Sequence, residues 1–251
     1  MLVLAWDTAT AVMSLALVDF DLSGKSTVVD SRVGDGETNH SALLPPLVQQ
    51  VLDENSLSMK DLDLLAVGRG PGSFTGLRTA LALAKGLGFG AGKPVLGVSS
   101  LSALACSHSE SVLVAPLIDA RHQELFTALF RVAGADEEPE QLSEILVVKP
   151  KNLFDVLRNI SKTRQSIALI GPALSLAPAL QDGFYAGGAE QPQAEAIAKL
   201  AFLRYNLGQS DQCPVVPLYG RSPDIFATWK PPKRLNSTPR QQSREQVQSS
   251  E

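Results

Sequence analysis

The sequence predicts an α/β protein built from two similar halves, each a mixed sheet flanked by helices. Three observations point there. Each half opens with two apolar stretches around a short polar turn: 2–6 and 12–20 about Asp7-Thr8-Ala9-Thr10, then 112–118 and 125–132 about Asp119-Ala120-Arg121. Each hairpin leads through a third extended stretch (27–33; 145–148) into a helix (45–54; 152–160). An apolar strand ending in Gly near a Pro comes next, 64–67 into Gly68-Arg69-Gly70-Pro71 and 167–170 into Gly171-Pro172.

Antiparallel hairpins feeding a strand–helix crossover give a mixed sheet covered by helices. Two such units in tandem make the actin-like (ASKHA, sugar-kinase-like) duplicated fold with two mixed-sheet subdomains. The expected division is 1–105, completed by a helix at 193–208, then 106–228, then a disordered tail at 229–251 rich in Ser, Gln, Arg and Pro. Pro45 and Pro46 suit the first turn of a helix, where an N–H has no partner to lose.

With 251 residues, 44% of them hydrophobic and 19% charged, the chain can bury a substantial core. No apolar run approaches the roughly 20 residues of a membrane span. The chain opens on a strand that meets Asp7 at once, unlike an export signal, so a cytoplasmic protein is expected. Cys106 and Cys213 lie far apart without a Cys-x-x-Cys, which favours reduced thiols over a zinc site. The net charge of −4 hides an asymmetry: Lys230, Lys233, Arg234, Arg240 and Arg244 against Glu245 and Glu251 put +3 on residues 230–251, leaving −7 elsewhere. An acidic body argues against a protein that grips nucleic acid alone over a broad surface.

The densest signal is Gly68-Arg69-Gly70-Pro71-Gly72-Ser73-Phe74-Thr75-Gly76-Leu77-Arg78, between an apolar strand and a helix. Glycines there permit a tight turn, Ser73 or Thr75 can cap the helix, and its free N–H groups would suit an anion. The nucleotide motifs themselves fail. Gly92-Lys93 lacks the first Gly and the final Ser/Thr of a P-loop, and Gly86-Leu87-Gly88-Phe89-Gly90-Ala91 ends a helix instead of starting one. Asp7, Thr8 and Thr10 in the first hairpin turn are the candidate nucleotide-binding residues; Asx and Thr turns also form without any function. Asp119, Arg121 and Glu124 make an acid–base cluster at the matching turn, read as a structural ion pair. Three histidines, none paired at metal-ligand spacing, and no Gly-x-Ser-x-Gly elbow leave nucleophilic and metal catalysis unsupported.

From 74 to 89 the only charges are Arg78 and Lys85, seven apart and so nearly on one line. The rest is Leu, Ala, Phe and Gly with two Thr. A helix lying on its own sheet usually keeps a broad polar face. This one, and the equally apolar 45–54 helix, call for a cover, either from this chain or from a partner.

The quoted motifs carry a family resemblance. Leu4-Ala5-Trp6-Asp7-Thr8-Ala9-Thr10, Gly70 to Arg78, Ala84-Lys85-Gly86-Leu87, residues 94–101 and Asp119-Ala120-Arg121 occur in one order, and the chain resembles the bacterial TsaB (YeaZ) proteins of tRNA threonylcarbamoyladenosine synthesis. The resemblance implies an actin-like fold and a scaffold role beside TsaD, the subunit that transfers the threonylcarbamoyl group to A37 of ANN-decoding tRNAs. It implies further partners in TsaE and tRNA, reached through the complex. It also implies an interface, to TsaD or to a second copy, made by Leu44, Leu47, Val48, Val51, Phe74, Leu77, Arg78, Leu81, Leu83 and Lys85. TsaD-type subunits carry a metal-binding His-x-x-x-His where this chain has Ser100 and Leu104, so a non-catalytic paralogue is expected. No resident cofactor or metal follows; ATP or ADP with magnesium would belong to the complex. The chain departs from the family at Ala42 and at Leu218-Tyr219-Gly220-Arg221. The rival readings are an ATP-dependent kinase-like enzyme and a peptidase.

Overall fold

The structure is a computed structural model that describes residues 1–34, 36, 40–108, 112–134, 137–163, 165–187, 191, 193–209 and 214–220. The first half runs β1 (Leu2–Asp7), β2 (Ser14–Phe20), β3 (Ser26–Val33), α1 (His40–Glu54), β4 (Leu64–Gly68), α2 (Phe74–Ala91), β5 (Val95–Val98) and α3 (Ser100–Cys106). The second runs β6 (Val112–Pro116), β7 (Ile118–Arg121), β8 (Glu124–Thr127), β9 (Phe130–Val132), β10 (Glu140–Gln141), β11 (Leu146–Val148), α4 (Leu153–Ser161), β12 (Ile167–Ile170), β13 (Phe184–Ala186) and α5 (Ala194–Asn206).

The duplication is written in the sheet topology. The first sheet has the order β3-β2-β1-β4-β5, antiparallel on the hairpin side and parallel on the crossover side. The second has the order β10-β9-β6-β12-β13 with the same change from antiparallel to parallel. This is the predicted α/β class, two mixed sheets in an actin-like arrangement.

Central strands buried on both faces explain the nearly unbroken apolar runs. Along β1 the side chains alternate: Leu4 and Trp6 pack with α1 and α2, while Val3 and Ala5 pack with α5, which returns from the far end of the chain. The Trp6 indole Nε1–H donates to the Ala80 carbonyl at 3.3 Å, tying α2 to the sheet. In β6, Leu113 and Ala115 face α4 while Val114 faces α3.

Three differences from the sequence reading have local causes. The second hairpin is not two long strands. It breaks at Leu117, whose N–H donates to the Ile170 carbonyl at 2.8 Å, and again at Ala128–Leu129. The tip, β7–β8, therefore leaves the main sheet and pairs with β11 in a separate three-stranded sheet. Helix α1 starts at His40 and holds Pro45 and Pro46 inside it, both on its exposed side. The short α3, capped by the Ser99 hydroxyl, was not anticipated. The tail expected at 229–251 lies outside the described residues.

Candidate functional site: a sealed turn and an exposed helix face

The β1–β2 turn is closed by the chain itself. Asp7 is 1% exposed, and its carboxylate accepts hydrogen bonds from the Ser100 hydroxyl at 2.5 Å and from the Ala9 N–H at 2.7 Å. Thr10 Oγ1 lies 2.8 Å from the Val12 carbonyl and 2.9 Å from the Gln191 amide oxygen. Thr8 is buried with its hydroxyl unpartnered. The glycine-rich loop forms the lid. A Cβ on Gly68 would stand 1.9 Å from Asp7 Oδ2, and one on Gly76 would stand 2.3 Å from the Thr8 carbonyl oxygen. Between them the Ser73 N–H donates to the Ala9 carbonyl at 2.7 Å. The loop's glycines thus serve close backbone approach to the turn. Asp7, Thr8 and Thr10, the candidate nucleotide-binding residues, are all buried in this turn.

Ser73 caps α2 by accepting from the Gly76 N–H at 3.2 Å, and Gly92 closes the helix in the left-handed conformation (φ 66°). Between these caps α2 has two unlike faces. Leu77, Ala80, Leu81 and Ala84 are buried together with Leu44, Val48 and Val51 of α1. Leu44, Val48, Val51, Leu77 and Leu81, which the resemblance implies as interface residues, are buried against each other within this chain. Leu47 and Leu83 are half-buried. The other face is open. Phe74 (50% exposed), Arg78, Ala82, Lys85 and Phe89 (93% exposed) form one stripe along the helix. Arg78 lies 4.6 Å over the Phe74 ring, and Tyr219 stacks on the same ring at 5.3 Å. The sequence reading missed Ala82, Phe89 and Tyr219. The 3.6-residue period through Arg78 and Lys85 could have found the first two; Tyr219, 145 residues from Phe74, left no sequence signal.

Ser100 and Leu104, at the places of the metal-binding histidines, are both fully buried, the first bonded to Asp7 and the second in the apolar core. Among the described residues no cluster of three His, Cys, Asp or Glu side chains could hold a metal ion. Burial pushes the Cys106 thiol up, and Cys213 lies outside the described residues. At the second turn Asp119 accepts from the Arg121 N–H at 2.7 Å and pairs with its guanidinium at 3.4 Å, both side chains exposed. No helix among the described residues is long and apolar enough to cross a membrane.

Comparison with known proteins adds an independent line. The family model for TsaD, tRNA N6-adenosine threonylcarbamoyltransferase, matches residues 35–180. The tRNA threonylcarbamoyladenosine biosynthesis protein TsaB of Bacillus subtilis is 28% identical over 91% of this chain and 98% of its own length. TsaB of Escherichia coli K12 is 36% identical over 52% of this chain and 55% of its own. An uncharacterised Mycobacterium tuberculosis protein is 32% identical over 88% of this chain and 92% of its own. The solved structure of YeaZ from Pseudomonas aeruginosa superposes with a TM-score of 0.69 at 28% identity, covering 87% of this chain and 99% of that one.

Proposed function

The chain belongs to the TsaB (YeaZ) family of tRNA threonylcarbamoyladenosine biosynthesis proteins, and from that premise we propose that it acts as a non-catalytic, activating subunit that binds a TsaD-type transferase. The observation that supports this most is the open stripe of α2. An amphipathic helix normally turns its apolar side inward and a charged side outward. Here the outward side carries two aromatic rings, a small residue at its middle and only two charges, both positive. Exposed aromatic and Arg side chains around a close-approach point are the composition of a protein–protein hot spot. The same face is the candidate for self-association when the transferase is absent. Contact with a TsaE-type subunit and with tRNA would come through the complex, in the cytoplasm, and any ATP or ADP with magnesium would be held there too.

Catalysis is assigned to the partner because the residues at the two compared places offer this chain no reactive group: the Asp7 carboxylate is bonded to Ser100 in the core, and a leucine, Leu104, stands where a ligand is expected.

Mixing the purified chain with its TsaD-type subunit and measuring mass by light scattering tests the proposal. The expected result is one species at the summed mass, abolished by Ala82→Arg with the circular dichroism spectrum unchanged. Two separate species at micromolar concentrations, or a complex indifferent to Ala82→Arg, would overturn it.

A further inference from the structure

Among the described residues, five that are not glycine have left-handed backbone: Ser56, Arg121, His122, Gln123 and Lys162. Ser56 and Lys162 are ordinary, each a single residue unwinding the end of a helix. The other three are consecutive, with φ of 63°, 53° and 58°. They form the tip of β7–β8. Arg121 pairs with Glu124, which leaves His122 and Gln123 as a two-residue loop, and Ala120 bulges out of register just before it. A two-residue hairpin loop with positive φ at both positions is a type I′ turn, for which Asn-Gly is the low-strain choice. Each residue with a Cβ held in this region is strained by contact with its own carbonyl. Such strain is kept where the side chains are used.

Those side chains are alike in what they offer. Arg121, His122 and Gln123 are all exposed and all hydrogen-bond donors. Asp119 holds one edge of the Arg121 guanidinium, leaving it 76% exposed, and Glu124 beside it is half-buried. The rest of the chain outside residues 230–251 is acidic, so a polyanion could be met here only by a local group of donors. We propose that the β7–β8 tip contacts the phosphate backbone of RNA, positioning the tRNA in the complex without reading its sequence. This inference rests on the reading that the chain works in a tRNA-modifying assembly.

The test uses the full chain assembled with its TsaD-type subunit and an unmodified tRNA transcript, with affinity measured by filter binding from 50 to 200 mM salt. Relieving the turn with His122→Asn and Gln123→Gly together, or with Arg121→Gly, should raise Tm while weakening tRNA binding several-fold. Arg121→Gly should also flatten the log–log salt dependence by about one contact. Arg121→Lys should retain most of the affinity. A higher Tm with unchanged tRNA affinity would overturn the proposal, as would a Tm that does not rise. Weaker assembly with unchanged tRNA affinity would make the tip a protein contact and overturn it too. Light scattering on the unsubstituted chain separates the two readings: absence of a complex defeats the proposed function, whereas an intact complex indifferent to the tip substitutions defeats only this inference.

Discussion

The two hairpin turns occupy the same place in the two halves and have opposite fates. At the end of β1 the turn is roofed by a glycine-rich loop, its aspartate buried and bonded to Ser100. At the end of β7 the turn stands clear of the main sheet, its aspartate 40% exposed and its loop strained and donor-rich. Position in a repeated fold therefore does not decide what a turn is for. The loop that follows the fourth strand does. After β4 it has glycines where a Cβ would strike the turn, so it closes down and buries the first turn. After β12 the corresponding stretch is Gly171-Pro172; a Cβ on Gly171 would stand 2.6 Å from the Leu117 carbonyl oxygen, ahead of the second turn, and Asp119 at that turn stays 40% exposed.

The sharpest way to break this comparison is to reopen the first turn. Gly76→Ala pushes a methyl group into the Thr8 carbonyl, a backbone atom that cannot step aside. The expected loss is about 3 kcal/mol, or roughly a 6–12 °C fall in Tm by calorimetry. A fall under 2 °C would mean that the roof is loose.

The two aspartates should then separate. Asp7→Ala strands the Ser100 hydroxyl and the Ala9 N–H in the core and should cost about 2 kcal/mol in urea unfolding. Asp119→Ala, at the exposed turn, should cost no more than about 0.5 kcal/mol. Equal costs would erase the distinction between a sealed and an open turn.

A parallel contrast runs across α2. Phe74→Ala should weaken association with the transferase by about 2 kcal/mol, near 30-fold in Kd by titration calorimetry, while hardly moving Tm. Leu77→Ala should do the reverse, costing about 3 kcal/mol of stability because Leu77 is wholly buried.

The smallest expected effect is an acid sensitivity at the β3 edge. The Arg32 guanidinium hydrogen-bonded to Asp30, helped by the Asn55 amide, holds this carboxyl below its ordinary value of 3.8. Because the folded-state value is the lower one, the pair's contribution is complete above pH 3.8 and is lost as pH falls through the folded-state value. Asp30→Asn should remove that sensitivity, changing stability at neutral pH by less than about 1 kcal/mol. An acid transition unaltered by Asp30→Asn would show that the pair is irrelevant to it.

Much of the fold was legible because periodicity and glycine placement are local properties. The apolar runs of the central strands, the 74–89 helix and the glycine-rich loop could all be located from local pattern alone. The candidate site was legible only in part. Leu77, Leu81, Leu44, Val48 and Val51 have the composition of an interface, yet they pack against each other, since an apolar side chain is indifferent to whether its cover comes from the same chain. Leu83 and Phe89 look alike in sequence and differ in exposure because α1 lies along only one side of α2. Tyr219 and Ser100 acquired their roles from distant partners, Phe74 and Asp7, which no local pattern links to them.

By itself, then, the sequence determined the order of elements, the repeat, the place of the glycine-rich loop and the scarcity of charge on α2. Hydrogen-bonding periodicity and backbone conformational freedom are set by neighbours along the chain. Which turn would be sealed and which side of α2 would face outward was decided by tertiary structure alone. Burial and steric closure depend on atoms brought within a few ångströms from residues far apart in sequence, here Thr8 beside Gly76 and Phe74 beside Tyr219.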